Sequence, residues 1–230
     1  TTATGDDMAL LTLGYDLYHL LHRGDLPPTL IDRLKNYAEF QGARYEIATA
    51  AIFVRARCEI TFIEHKTQKH YEFVARDPGT GAEIAVEAKS RRRSGILHEP
   101  GQVNEARALR GDVEGLVNEA LEQAPGNLPF MVLIDVNVPP VPGVPLQERA
   151  WFQDIWTTMQ SLQAPTAAQP EDFNALIFTS FSFQWEGSKP SSGVVRLWII
   201  PAYPRHPVPP DLLARVIGAV DGYGQIPKEI

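Results

Sequence analysis

The 230 residues are 44% hydrophobic and 21% charged, the make-up of a globular protein and not of a fibrous or low-complexity chain. A net charge of −7 gives no global support for nucleic-acid binding, and no apolar run reaches the roughly 18 residues of a membrane span. The single cysteine, Cys58, excludes an internal disulfide and a thiolate metal cluster, and points to a reducing, cytoplasmic compartment. No signal-peptide pattern opens the chain, and the Thr1 start reads as processing, tagging or trimming from something longer.

In chain order, residues 7–23 have the spacing of an amphipathic helix that stops at Gly24. Asp25-Leu26-Pro27-Pro28 breaks it, a short helix follows from Thr29 to Asn36, and a longer one covers Tyr37 to Arg57. Cys58–Ile63 alternates as a strand. Two further strands, 70–77 and 83–90, flank the turn signal Pro78-Gly79-Thr80-Gly81. Beyond Pro100-Gly101 a helix is predicted from Gln102 to Gln123, with Val103, Ala106, Leu109, Val113, Leu116, Val117 and Ala120 on its apolar stripe. Leu128–Val138 is the continuous apolar run of a strand buried on both faces, so the preceding helix reads as a crossover into a parallel pairing. A proline-rich linker leads to a helix at 147–162, then come strands at 174–185 and 194–201 and a short helix near 211–220.

This order predicts an α/β fold, a mixed central sheet flanked by helices. Residues 1–36 read as an N-terminal helical extension, 37–201 as the main domain, and 202–230 as a proline-rich tail with a short helix.

The hairpin carries the chemistry. With Gly79 and Thr80 central in the turn, opposed residues place Glu72 directly across from Glu87. Opposed Cβ atoms lie about 5 Å apart, where like charges repel. Glu87 and Lys89, two apart, share that face. Such a pair is costly unless something positive lies between the carboxylates, and a divalent cation with oxygen ligands is the usual answer. Asp77 competes with Glu72 as the second acid, but it is five residues away, roughly 16 Å along a strand, and suits turn chemistry better. Lys66, Lys69, His70, Lys89, Arg91, Arg92 and Arg93, followed by Arg107 and Arg110, make this neighbourhood basic within an acidic chain. His65, His98 and His206 have no ligand spacing.

Glu87-Ala88-Lys89, closing an apolar strand run, resembles the (D/E)-x-K signature of the PD-(D/E)XK nuclease superfamily. Residues 37–137 are similar in order to that family's α-β-β-β-α-β core, and Gly42-Ala43-Arg44-Tyr45-Glu46-Ile47 resembles its first-helix segment. The resemblance implies a metal-dependent nuclease acting on DNA. In it Glu72 and Glu87 hold Mg²⁺ or Mn²⁺, Lys89 orients and acidifies the attacking water, and Glu46 completes the site. Glu46 is preferred to Glu39, seven residues earlier on the same stripe, because Ala43, Ala50 and Phe53 surround it there while Glu39 lies near the helix start. Two departures stand out: Glu72 replaces the usual aspartate, and Tyr71 the usual proline. Arg91, Arg92 and Arg93 are candidates for gripping flanking phosphates, and Gln102 for a polar site residue on the following helix. The alternative is a catalytically silent domain of the same fold, binding nucleic acid or assembling within a larger protein.

Overall fold

In the computed structural model, residues 5–22, 26–63, 70–97, 109–139, 141, 143–162, 165–181, 185–186, 189–190 and 195–225 are described. The first half contains α1 (Gly5–Leu21), α2 (Pro28–Lys35), α3 (Phe40–Arg55), β1 (Glu59–Phe62), β2 (Phe73–Arg76) and β3 (Glu83–Ser90). The second contains α4 (Glu114–Leu121), β4 (Phe130–Asp135), α5 (Ala150–Ser161), β5 (Ala175–Ser180), the two-residue strands β6 (Trp185–Glu186) and β7 (Lys189–Pro190), β8 (Val195–Ile199) and α6 (Pro210–Asp221). Six strands form one mixed sheet in the order β1-β2-β3-β4-β5-β8. β3, β4 and β5 run parallel, and β1, β2 and β8 pair antiparallel at the edges. The expected α/β fold with helices on a mixed sheet is what the chain adopts. No helix among the described residues is long and apolar enough to cross a membrane.

Alternation along β3 divides the core. Ile84, Val86 and Ala88 join α3 and α6 residues in one apolar cluster, while Ala85 joins α4 and α5 residues in the other. β4 and β5 are buried at every position, as strands covered on both faces must be. Nearly every residue of α3 from Gln41 to Val54 is buried, because α1, α2 and α6 cover the side that the sheet does not.

Three expectations change in detail. Of the helix predicted from Gln102 the structure describes Glu114–Leu121: residues 98–108 lie outside the described set, and 109–113 are not helical. Tertiary bonds occupy the backbone groups that a helix would use there. The Arg110 carbonyl accepts from Arg93 Nη2 at 2.6 Å, and Gly111 N–H donates to Asp154 Oδ2 at 2.7 Å. A Cβ on Gly111 would sit 2.9 Å from the Trp151 carbonyl oxygen. Gly111→Ala is therefore expected to cost about 1–3 kcal/mol, the usual penalty of overpacking, read as a lower melting temperature. The strand expected to run from 174 ends at Ser180, where Phe181 N–H turns to the buried Asp135 carboxylate at 3.1 Å.

The third change lies at the hairpin. The expected register holds from Arg76↔Glu83 to Phe73↔Val86, but Glu72 leaves it. Its N–H donates to the Val86 carbonyl at 2.9 Å, so Glu72 and Phe73 both address Val86. Two residues facing one is a β-bulge, which breaks the alternation of side chains and re-aims the extra residue. Glu72 therefore does not stand directly across from Glu87 in the ladder.

Candidate functional site

β2 leaves β3 at the bulge, so Glu87 to Ser90 pair only with β4, in register Glu87↔Val132 to Ser90↔Asp135. The open side of β3 is where the acidic residues gather. Lys89 Nζ donates to Glu87 Oε1 at 2.7 Å, and the Glu87 side chain is fully buried while that of Lys89 keeps 20% of its surface. The i, i+2 spacing on one strand face brings them together.

Gln123, just beyond α4, closes over this pair. With its amide oriented to satisfy its neighbours, the nitrogen donates to Glu87 Oε2 at 2.8 Å and to the His70 carbonyl at 2.5 Å, and the oxygen accepts from Lys89 Nζ at 2.9 Å.

From the other side α3 contributes Glu46, which is 7% exposed. Both of its oxygens accept from Arg33 of α2, Oε2 from Nη1 at 2.7 Å and Oε1 from Nη2 at 2.5 Å. This two-pronged geometry is the strong form of a guanidinium–carboxylate pair. Glu39 stays exposed, accepting from Asn36 Nδ2 at 2.5 Å.

The electrostatics tie these groups into one cluster. Burial pushes the Glu72 carboxyl up to about 8, aided by the charges of Glu46 and Glu87 and opposed by Lys89 and Arg33. Burial also raises Glu87 to about 7, against the pull of Lys89. Glu46 is raised by burial too, with Arg33 holding it down. In each case desolvation outweighs the neighbouring cations, so the carboxylates hold protons that ordinary carboxyls release. Among the described residues no three His, Cys, Asp or Glu side chains gather closely enough to hold a metal ion.

The other candidates lie nearby with different partners. Arg91 pairs with Asp112 at 3.3 Å, and Arg92 is exposed. Arg93 holds the loop in place: its Nε donates to the Val136 carbonyl at 2.9 Å, and its N–H to Gln41 Oε1 at 2.9 Å. Gln102 and Arg107 lie outside the described residues. Asp77 accepts from the Thr80 hydroxyl at 2.8 Å and pairs with Arg215 Nη2 at 2.9 Å, the turn role its sequence context indicated. Asp77→Asn is expected to cost about 1–3 kcal/mol through those weakened bonds, seen in denaturant unfolding.

Arg33 and Gln123 were not legible as site residues. Thirteen residues separate Arg33 from Glu46 across a helix break, and Gln123 closes the predicted helix at the end away from Gln102. No spacing rule joins either to the hairpin. The chain matches no protein-family model, no curated protein and no solved structure.

Proposed function

We propose that this chain is a metal-dependent nuclease of the PD-(D/E)XK type that hydrolyses phosphodiester bonds in DNA. The observation that carries the reading is the buried Glu87 on Lys89 at the open side of β3, within the fields of Glu46 and Glu72. Buried carboxyls are costly, and these three, each raised by burial beside a lysine, form a cluster that a bound cation would return to its charged form.

The donor set fits Mg²⁺ or Mn²⁺, hard cations that take carboxylate oxygens and fill their remaining positions from water and phosphate. Glu72 and Glu87 would hold the ion, which when bound neutralises charge on the phosphate and makes water more acidic. Lys89 has three N–H donors, of which Glu87 and Gln123 take two. The third can meet a phosphate oxygen as negative charge develops on it, a preorganised contact that favours the transition state. Gln123 fixes the direction of that ammonium and, through its nitrogen, the rotamer of Glu87. Arg91 and Arg92 beyond the strand would contact flanking phosphates. A cytoplasmic setting belongs to the same reading and rests on the single cysteine.

A second reading has its own support. Arg33 occupies both oxygens of Glu46, and the net charge is −7, as would suit a silent module of this fold that binds or assembles without turnover.

The choice of acids tests the nuclease assignment. Glu72→Gln is expected to abolish Mg²⁺-dependent DNA cleavage, while Asp77→Asn keeps it within about twofold, since only the former removes a candidate ligand charge. The reverse pattern would move the site to the turn.

A further inference from the structure

α1 turns apolar side chains both ways. Ala9, Thr12, Asp16 and Leu20 are buried against the rest of the chain. Asp16 locks the helix there, pairing with Arg55 of α3 and accepting from the Tyr223 hydroxyl at 2.7 Å. The opposite side of a surface helix is ordinarily polar, yet Leu10, Leu11, Tyr18 and Leu21 are 70%, 55%, 46% and 68% exposed. Asp7, Leu11, Gly14, Tyr18 and Leu21 follow one another at the alternating spacing of four and three that makes a coiled-coil seam, and all five are exposed. Tyr18 is held in place on that side, its ring 4.2 Å from the His22 ring and its carbonyl accepting from His22 Nδ1 at 2.8 Å. Gly14 stands in the middle of the stripe. A glycine inside a helix costs stability relative to alanine, and a Cβ on Gly14 would meet nothing within 4 Å. The single chain has no use for so small a residue there, whereas a second helix in close approach does.

We infer that α1 is a dimerisation helix, which packs antiparallel on α1 of a second copy of this chain with the twofold axis between Gly14 and Tyr15. The stripe is complementary to itself in that register. Leu11 of each copy faces Tyr18 of the other and Asp7 faces His22, so every contact is made twice, as a twofold interface requires. Charge sets the direction. In the sequence Asp6 and Asp7 stand at the start of the stripe and His22 and Arg23 at its end. Antiparallel helices bring those opposite charges together and oppose their dipoles, while parallel helices would set like against like. Gly14 lets the two backbones close at the axis, so the larger side chains on either side interlock instead of holding the helices apart. The four exposed apolar side chains offer on the order of 500 Å² in each copy, hence roughly 1,000 Å² for the pair, the lower limit of a specific interface. Such an area makes a weak, reversible dimer. The pairing needs neither a bound ion nor the nuclease reading.

The test is sedimentation velocity of the full chain from about 1 to 300 µM, where an interface of this size is expected to give a monomer–dimer equilibrium with a Kd on the order of 10–100 µM. Leu11→Glu combined with Tyr18→Glu should weaken it at least tenfold, by placing charge on the apolar centre of the seam, with little change in melting temperature because both side chains are exposed. Orientation is read by oxidising Gly14→Cys and Asp7→Cys at high concentration; Cys58 is buried and takes no part. Antiparallel copies hold their Gly14 residues beside the axis and their Asp7 residues about 22 Å apart, at 1.5 Å per residue. Gly14→Cys should therefore form a disulfide-linked dimer and Asp7→Cys should not. A wild type that stays monomeric throughout, a dimer that the double variant leaves intact, or linkage of Asp7→Cys as efficient as that of Gly14→Cys overturns the pairing. If the double variant does not fold, the wild type and the two cysteine variants decide. A chain that stays monomeric but sediments with anionic phospholipid vesicles also overturns it, and makes the stripe a lipid-binding face.

Discussion

Lys89→Ala is expected to lower Mg²⁺-dependent DNA cleavage by about 10²–10³-fold, the range found when one preorganised electrostatic contact to a developing charge is removed. DNA affinity should change little, because the ammonium acts mainly on charge formed in the transition state. A second effect accompanies the first. Glu87 is fully buried and Lys89 is the cation that opposes its desolvation. Without that cation the Glu87 carboxyl rises further, so the alkaline shift of any residual activity is part of the expected result. Measured kcat and KM across pH separate the two contributions. Loss of affinity with unchanged turnover would make Lys89 a binding residue instead.

The second large effect concerns stability without metal. Glu72 is raised to about 8 and Glu87 to about 7 from an ordinary 4.5, chiefly by burial. A raised carboxyl binds its proton more tightly in the folded than in the unfolded chain. Its contribution is fully present below the unfolded value, near 4.5, and is lost as pH rises through the folded one. Stability of the EDTA-treated protein should therefore fall between about pH 4.5 and 8, by at most about 1.4 kcal/mol per pH unit for each group. The buried carboxyls of Asp16 and Asp135, both raised to about 6 by burial, add to the lower part of that window. Glu72→Gln should match the wild type at pH 4, where the side chain is largely neutral in the folded and the unfolded chain alike. At pH 9 it should exceed the wild type by a few kcal/mol, on the order of the linkage limit. Mg²⁺ should stabilise the wild type at high pH and Glu72→Gln much less. Urea unfolding at the two pH values reads this directly, and a variant no more stable than the wild type at pH 9 would mean that Glu72 ionises without penalty.

The architecture was legible where local rules decide. Alternation and the Pro78–Gly81 turn placed β2 and β3 in the correct register over four pairs, and the apolar run at 130–134 announced a strand buried on both faces. The i, i+2 relation of Glu87 and Lys89 needs only strand geometry, and both side chains meet at 2.7 Å. What was not legible depends on contacts between elements distant in sequence. The bulge at Glu72 reflects β2 parting from β3, which no period-2 pattern encodes. The start of α4 at Glu114 follows from Arg93 and Asp154 capturing the backbone of residues 110 and 111. Arg33 and Gln123 reach the cluster from elements whose packing alone sets their distance from it.

In the proposed function, the cluster of Glu46, Glu72, Glu87 and Lys89 cuts DNA with the help of a divalent ion. The most direct measurement is cleavage of duplex, single-stranded and branched DNA by the purified wild-type chain with Mg²⁺, with Mn²⁺ and with EDTA. Cleavage of at least one substrate with either ion, and of none with EDTA, is the expected result. Salt-sensitive binding without cleavage under any of these conditions would contradict it in favour of the silent module, and neither binding nor cleavage would remove nucleic acid from the account altogether.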